Sequence, residues 1–164
     1  MGGSTHDPGQ SASEPVSAGR FNRYDDFTVG RRFDHHWGRT IMAEEAISFA
    51  TQHVVHEPLR FNRLYAHHLG YNDIVVSSML VYAIVLGLSV EDLSESGGPF
   101  LGSDEVRFLA PVYPGDTVFA SSIVVSRRPS ASKQDYGIVE WETSSWNQGG
   151  EPVISFRRTN LVRR

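Results

Sequence analysis

Residues 53–68 read HVVHEPLRFNRLYAHH and hold four of the seven histidines of this 164-residue chain. Three chemistries are open to such a stretch. Histidine titrates near neutral pH, so with the adjacent Glu57 it suits acid–base work. Arginine is a fixed cation with a fork of donors, which suits a carboxylate or an oxyanion, and Asn62 can hydrogen-bond either. A metal is the third possibility. His53-x-x-His56 and His67-His68 lack cysteines and the regular helical His-x-x-x-His spacing, so no metal site is expected. A purely structural reading stands beside these: Glu57 and Arg60, three apart, pair with each other. His53 and His56 are then solvated loop residues, and His67 and His68 sit at a helix end that favours cations.

The elements that must position these residues follow from pattern. RYDDFTVGRRFDHHWGRTI reads as a lead-in, a turn at Gly30 and a strand around 33–38. MAEEAISFATQH places Ala46, Ile47, Phe49 and Ala50 on one helical face, with Thr40 as the expected cap and two glutamates in the first turn. Pro58 closes the region after that helix. NRLYAHHLG gives one or two helical turns ending at Gly70. Residues 75–90 form a helix apolar nearly all round, which other elements must cover. The period then changes: SDEVRFLAPV, DTVFASSIVVSRR, YGIVEWETSSWN and EPVISFRRTNLV are strands, with turns at 114–116 (PGD) and 147–150 (NQGG). The expected class is α+β, an antiparallel sheet wrapped round one long central helix.

Composition narrows the function. The formal net charge is -4, which gives no general electrostatic case for nucleic acid. The basic cluster in SFRRTNLVRR alternates with apolar residues and reads as a strand with solvated outer positions. The absence of cysteine excludes disulfide and thiolate chemistry and fits a reducing cytoplasm. Residues 1–20, rich in Gly, Ser and Pro, are expected to form a disordered tail and do not resemble a signal peptide. The apolar run IVVSSMLVYAIVLGLSV carries serines, a tyrosine and a glycine, and reads as a buried helix rather than a membrane span.

The order of elements resembles the hotdog fold. FTVGRRFDHHWGRTI, GYNDIVVSSML, DEVRFLAPVYPGDTV, GIVEWETSSWNQGGEPV and FRRTNLV are similar to the MaoC-like dehydratase family, which includes the (R)-specific enoyl-CoA hydratases. The likeness covers residues 21–164 as one hotdog domain and is strongest to mesaconyl-CoA hydratase-like members. The resemblance implies an acyl thioester substrate on CoA or a carrier protein, no cofactor, at least a homodimer, and sites at the subunit interface. It also makes a shared structural role enough for His35 and His36, which face opposite sides of their strand.

The hydratase motif runs Asp-x-Asn-Pro-Leu/Ile-His, with a Tyr-Ala pair a few residues on. Pro58, Leu59, Tyr65 and Ala66 set the register. The motif's aspartate falls on Val55, its asparagine on Glu57 and its histidine on Arg60; Phe61 and Asn62 match some mesaconyl-type relatives. Valine moves no proton, and arginine holds its own at ordinary pH. A rearranged set of His56, Glu57, Arg60 and Asn62 is therefore the catalytic expectation. Many hydratases carry Ala-His-Gly at the central helix, where the glycine amide faces the thioester oxygen. Ser77-Ser78 stands here, and a serine keeps that amide if the backbone does not need glycine; capping the helix is the serines' structural alternative. Val55, Tyr71, Ser77 and Ser78 are the expected substrate contacts.

Three functions follow. One is a hydratase/dehydratase-type lyase on an α,β-unsaturated or 3-hydroxyacyl thioester, or conjugate addition on the same frame. The second is a catalytically inactive hotdog partner subunit. The third is a thioesterase, for which Glu57 is the only obvious carboxylate.

Overall fold

The computed structural model describes residues 21–164, and the expected disordered tail over 1–20 lies outside them. The strands are β1 (Arg32–Asp34), β2 (Arg39–Thr40), β3 (Phe100–Phe108), β4 (Thr117–Pro129), β5 (Tyr136–Asn147) and β6 (Pro152–Arg163). The helices are α1 (Ala43–Gln52), α2 (Arg63–His68), α3 (Ser78–Leu88) and α4 (Val90–Leu93). One antiparallel sheet runs in the order β1-β4-β5-β6-β3, and β2 pairs the end of β4.

Alternation decides the inner face of the sheet. Val118, Ala120, Ser122 and Val124 of β4 are buried, as are Val139, Trp141, Thr143 and Ser145 of β5 and Ile154, Phe156, Arg158 and Asn160 of β6. Successive side chains point to opposite faces of a strand, so these positions line one surface. α3 lies on it: Leu80, Val81 and Val85 pack with Val118, Ala120, Ile154 and Phe156 in the main core. A second cluster, Phe27, Phe33, Leu93, Val139 and Trp141 among others, fills the β1 end. The turn at 114–116 forms as the sequence signals. Gly115 adopts φ +95°, a conformation that suits glycine, and Asp116 accepts the Tyr113 amide at 2.8 Å.

Three local expectations change. The strand around 33–38 is two short strands broken at 35–38, where a side chain on Gly38 would strike the Phe119 ring. α1 starts at Ala43 with Met42 as its cap residue. Thr40 does not cap it, because its hydroxyl bonds Thr117 Oγ1 at 2.7 Å across the β2–β4 pair. Arg158 is not solvated. Strand parity turns it inward while Arg157 faces out towards Glu105, Glu140 and Glu142.

Arg158 is 3% exposed. It donates to Asn160 Oδ1 at 2.9 Å, Ser89 Oγ at 2.7 Å and Ser94 Oγ at 2.5 Å. Burial among these neutral partners lowers its pKa to about 10, because desolvation disfavours the charged form. Nearby, His35 is buried and links Asp92 Oδ2 (2.6 Å) to Ser122 Oγ (2.9 Å), which in turn contacts Thr143 Oγ1 at 2.8 Å. His36 faces solvent. The segment that ends α3 and forms α4 is thus held from two sides.

No helix among the described residues is long and apolar enough to cross a membrane.

Candidate active site

The histidine-rich stretch folds as the link from α1 to α2. Pro58 opens a 3-10 turn over Pro58–Arg60, its fixed φ suiting a first helical position. Asn62 then caps α2, its side-chain oxygen accepting the Tyr65 amide at 3.1 Å. Leu59 and Ala66 are buried with Val75, and Tyr71 and Tyr113 pack against them. The Val75 amide donates to Leu59 O at 3.1 Å. The stretch is thereby fastened to the segment entering α3.

Arg60 reinforces that fastening. Its Nε meets Glu57 Oε2 at 3.0 Å, and its Nη1 donates to Val76 O at 3.0 Å and Val75 O at 3.3 Å. The Glu57–Arg60 pairing open from spacing alone is formed. The Arg60 side chain is 17% exposed against 50% for Glu57, so the cation is held inward and the carboxylate stays at the surface. A second tie joins α2 to the same segment. Arg63 binds Asp73 through two contacts, 2.7 and 3.2 Å. The Arg63 guanidinium, then the Ile74 amide at 2.7 Å, hold the Asp73 carboxyl below its ordinary pKa, and Asp73 raises that of Arg63.

α3 begins at this junction. Ser77 is its cap residue but makes no side-chain capping bond. Ser78 opens the helix, and its amide finds no acceptor among the described residues, as expected for a first-turn N–H. The non-glycine residues with positive φ among those described are Val54 and Glu105. Ser78 therefore sits in a conformation any L-residue adopts, and replacing glycine costs no strain there.

A cleft of about 290 Å³ opens between these parts, lined by Arg60, Tyr71, Ser78 and the chain from Phe108 to Pro111. Of the expected site residues, Arg60, Tyr71 and Ser78 meet in it. Val55 is half-buried and Ser77 is buried. His56, Glu57 and Asn62 are exposed and lie outside the lining. His56 makes no hydrogen bond or ion pair among the described residues, whereas His53 stacks on Phe49 with ring centroids 4.1 Å apart. His67 Nε2 lies 2.9 Å from Asn72 O. No cluster of metal-ligating side chains occurs among the described residues. The wall at Phe108, Leu109 and Pro111 was not expected as part of the site. Its signal was the RFLAP run, which marks a strand ending in a proline-stopped turn beside the helix start.

The chain is similar to known proteins over nearly its whole length. The family model for mesaconyl-CoA hydratase matches residues 14–164. A mesaconyl-CoA hydratase of Haloarcula hispanica is 34% identical over 163 residues, covering 99% of this chain and 45% of the relative. A β-methylmalyl-CoA dehydratase of Chloroflexus aurantiacus is 31% identical over 143 residues, covering 87% of this chain and 40% of the relative. The crystal structure of a MaoC-like dehydratase from Rhodospirillum rubrum superimposes with TM-score 0.77 at 26% identity, covering 87% of this chain and 97% of that one. The fold is the hotdog fold, and the chain belongs to the mesaconyl-CoA hydratase family. It spans less than half the length of the curated relatives it matches.

Proposed function

We propose that this member of the mesaconyl-CoA hydratase family is a hydratase/dehydratase-type lyase. It holds an α,β-unsaturated or 3-hydroxyacyl thioester of CoA in the cleft beside Arg60, Tyr71 and Ser78. The observation that carries the reading is the meeting in one cleft of the α3 start at Ser78 with the Arg60 guanidinium. Dehydration removes the α-proton to a base, collects charge on the thioester oxygen, and expels the 3-hydroxyl with a proton as water. The Ser78 amide stabilises that charge without reorganising. Arg60 is a fixed cation for a second carboxylate or for the oxyanion. Glu57, which pairs with Arg60, and its chain neighbour His56 are the groups proposed to exchange protons. Asn62, whose oxygen caps α2, has amide donors that can hydrogen-bond a substrate group only if that group extends beyond the cleft lining.

We assign a second hotdog unit to the edge of β3 that pairs no other strand among the described residues. Phe100, Leu101, Val106 and Phe108 are exposed there, an unpaired edge that invites another strand, and the cleft reaches the same strand end. A homodimer or higher oligomer satisfies it.

The test is to incubate the protein with unsaturated and 3-hydroxyacyl-CoA thioesters, with and without amine nucleophiles, and to read product masses. A mass gain or loss of one water is expected. Wild-type turnover in His56→Ala, Glu57→Ala and Arg60→Ala alike would remove the site assignment. Free thiol without a hydrated product points instead to a thioesterase.

One observation favours the reading as an inactive partner. Arg60, at the position of the motif's histidine, is committed to two backbone carbonyls and Glu57, and Val55 stands where the aspartate would be. A chain inert alone but active with a sister subunit that retains Asp and His would establish that role.

A further inference from the structure

A second hollow, a groove of about 460 Å³, runs along α3 between that helix and the chain linking β1 to β2. Its floor is Ala83, Ile84, Gly87 and Leu88, its wall is Trp37, and Arg39, Glu45 and Glu91 stand at its rim. Gly87 lies two and a half turns past Ser78, so the groove and the cleft face opposite sides of the helix. Glycine is a poor helix former, and nothing in this chain asks for it here. A Cβ on Gly87 would meet no atom of the described residues within 4 Å. Ala83, one turn earlier on the same row, is small as well. The helix surface is therefore bare where the groove crosses it.

Trp37 is the converse. It is 65% exposed, yet its position is fixed. Gly38 sits so close to Phe119 that a side chain there would strike the ring. The His36 ring lies against the indole with centroids 4.5 Å apart. A held aromatic knob thus stands beside an open hole. The hole's volume is in the range that takes a drug-sized ligand, so an indole fits with room to spare. Residues 36–39 run alongside with their charges in order. His36 Nε2 is 3.8 Å from Glu91 Oε2, and Arg39 Nη2 donates to Glu45 Oε1 at 2.7 Å. The Arg39 and Glu91 side chains are 53% and 55% exposed, which leaves both able to take a further partner.

Knob and hole on one surface are what a two-fold contact between copies needs, because each feature of one copy meets its complement on the other. A two-fold axis across the groove reverses its direction. Trp37 of each copy then lies over Gly87 of the other, and Arg39 faces Glu91. A chain of another sequence would use the knob or the hole and has no need of both. We propose that this groove is an interface with a second copy of this chain, closed by exchange of Trp37 and by Arg39–Glu91 pairs. It is separate from the β3 edge, since β1 and β2 lie on β4, at the other side of the sheet from β3. With a like copy at the β3 edge as well, four chains close into one assembly.

The experiment is sedimentation velocity of the full chain over a dilution series, for the wild type, Gly87→Leu and Trp37→Ala. Leucine at 87 fills the hole without striking the chain's own atoms and favours the helix, so this variant keeps its fold. It is expected to halve the mass of the assembly and to weaken self-association about 10-fold or more, the scale of losing a buried aromatic anchor. Acrylamide should then quench Trp37 more strongly than in the wild type. Trp37→Ala should halve the mass in the same way, and thermal melts identify any loss of fold. A Gly87→Leu chain with the wild-type mass, or a wild type that sediments as a single chain, overturns the proposal; the groove then belongs to a chain of another sequence. The lyase reading is untouched by either result, because groove and cleft lie on different faces of α3.

Discussion

An arginine holds each end of α3, and the two are held differently. At the site end, Arg60 bonds the carbonyls of Val75 and Val76 and pairs with the half-exposed Glu57. At the far end, Arg158 is buried with three neutral partners, Ser89, Ser94 and Asn160. It lies beside the C-terminal turn of the helix, where a positive charge is favoured by the dipole. Arg60 has a carboxylate to exchange against a ligand and a cleft to reach into. Arg158 has neither, so it anchors the helix. The difference shows what a functional cation requires: a partner that can be given up and a route to what replaces it. A buried cation bonded to neutral groups, with no carboxylate to exchange and no cleft to reach, offers rigidity.

The largest effect of a substitution is expected at the anchored end. Arg158→Ala leaves the Ser89, Ser94 and Asn160 groups without their donor and opens space against Trp141. We expect a loss of about 3 kcal/mol in urea unfolding. Arg158→Lys should recover little, since an ammonium cannot span three separated acceptors in the plane of the guanidinium fork. Full recovery by lysine would mean that charge alone, rather than the fork, anchors α3.

His35→Ala ranks next. It removes a ring that bonds Asp92 on one side and Ser122 on the other while 1% of its side chain is exposed. The expected cost is about 2 kcal/mol, with ligand binding unchanged because the cleft lies at the opposite end of α3. A variant that kept its stability but lost binding would relocate function to the far end.

His35 also shows what was legible in the sequence. The strand alternation around HH puts the two histidines on opposite sides, but nothing local says which side is inner, because parity depends on pairing with β4 (Phe33 opposite Ser122). The same limit hid Arg158. In SFRRTNLV the alternation is plain, yet either arginine can be the inner one until the β5 register puts Arg158 against Trp141. What was legible is what short-range chemistry controls: a helix within 75–90 from its largely apolar run, which the structure forms over Ser78–Leu88, the turn at Gly115, the end of α2 near Gly70, and the Glu57–Arg60 pair at three-residue spacing. Motif register singles out Arg60 and Ser78, and the structure places both, with Tyr71, along one cleft. The cleft wall at Phe108–Pro111 was not legible, since it joins the site from 30 residues further along the chain.

At the site end the stability effects shrink and functional ones should grow. Arg60→Ala loses a partly exposed cation with two carbonyl bonds, and about 1 kcal/mol is expected in urea unfolding. Its larger consequence is expected in binding: affinity for a carboxylate-bearing thioether of CoA should fall at least about 10-fold, a charge-assisted bond being worth that much, while S-ethyl-CoA binds as before. Equal losses for both ligands would recast Arg60 as a second anchor and erase the contrast with Arg158.

The smallest effect concerns pH and separates the two ends without mutation. Arg63 and the Ile74 amide hold the Asp73 carboxyl below its ordinary value. A depressed folded-state pKa contributes stability that is fully present above the unfolded value, near 3.9, and is lost as pH falls through the folded value. Acid should therefore loosen the tie between α2 and the entry to α3 while Arg158, whose partners are two hydroxyls and an amide, stays bound. The pair sits at the surface, so the contribution is small and is better read locally than from global unfolding. The Ile74 amide, bonded to Asp73 Oδ1 at 2.7 Å, is the reporter: its NMR shift should titrate with a midpoint below the ordinary aspartate value, and the Asn160 side-chain amide should not move over the same range. A midpoint at or above that value would show that Asp73 does not fasten the site end in solution, leaving Arg60 and the Leu59–Val75 backbone bond to do so alone.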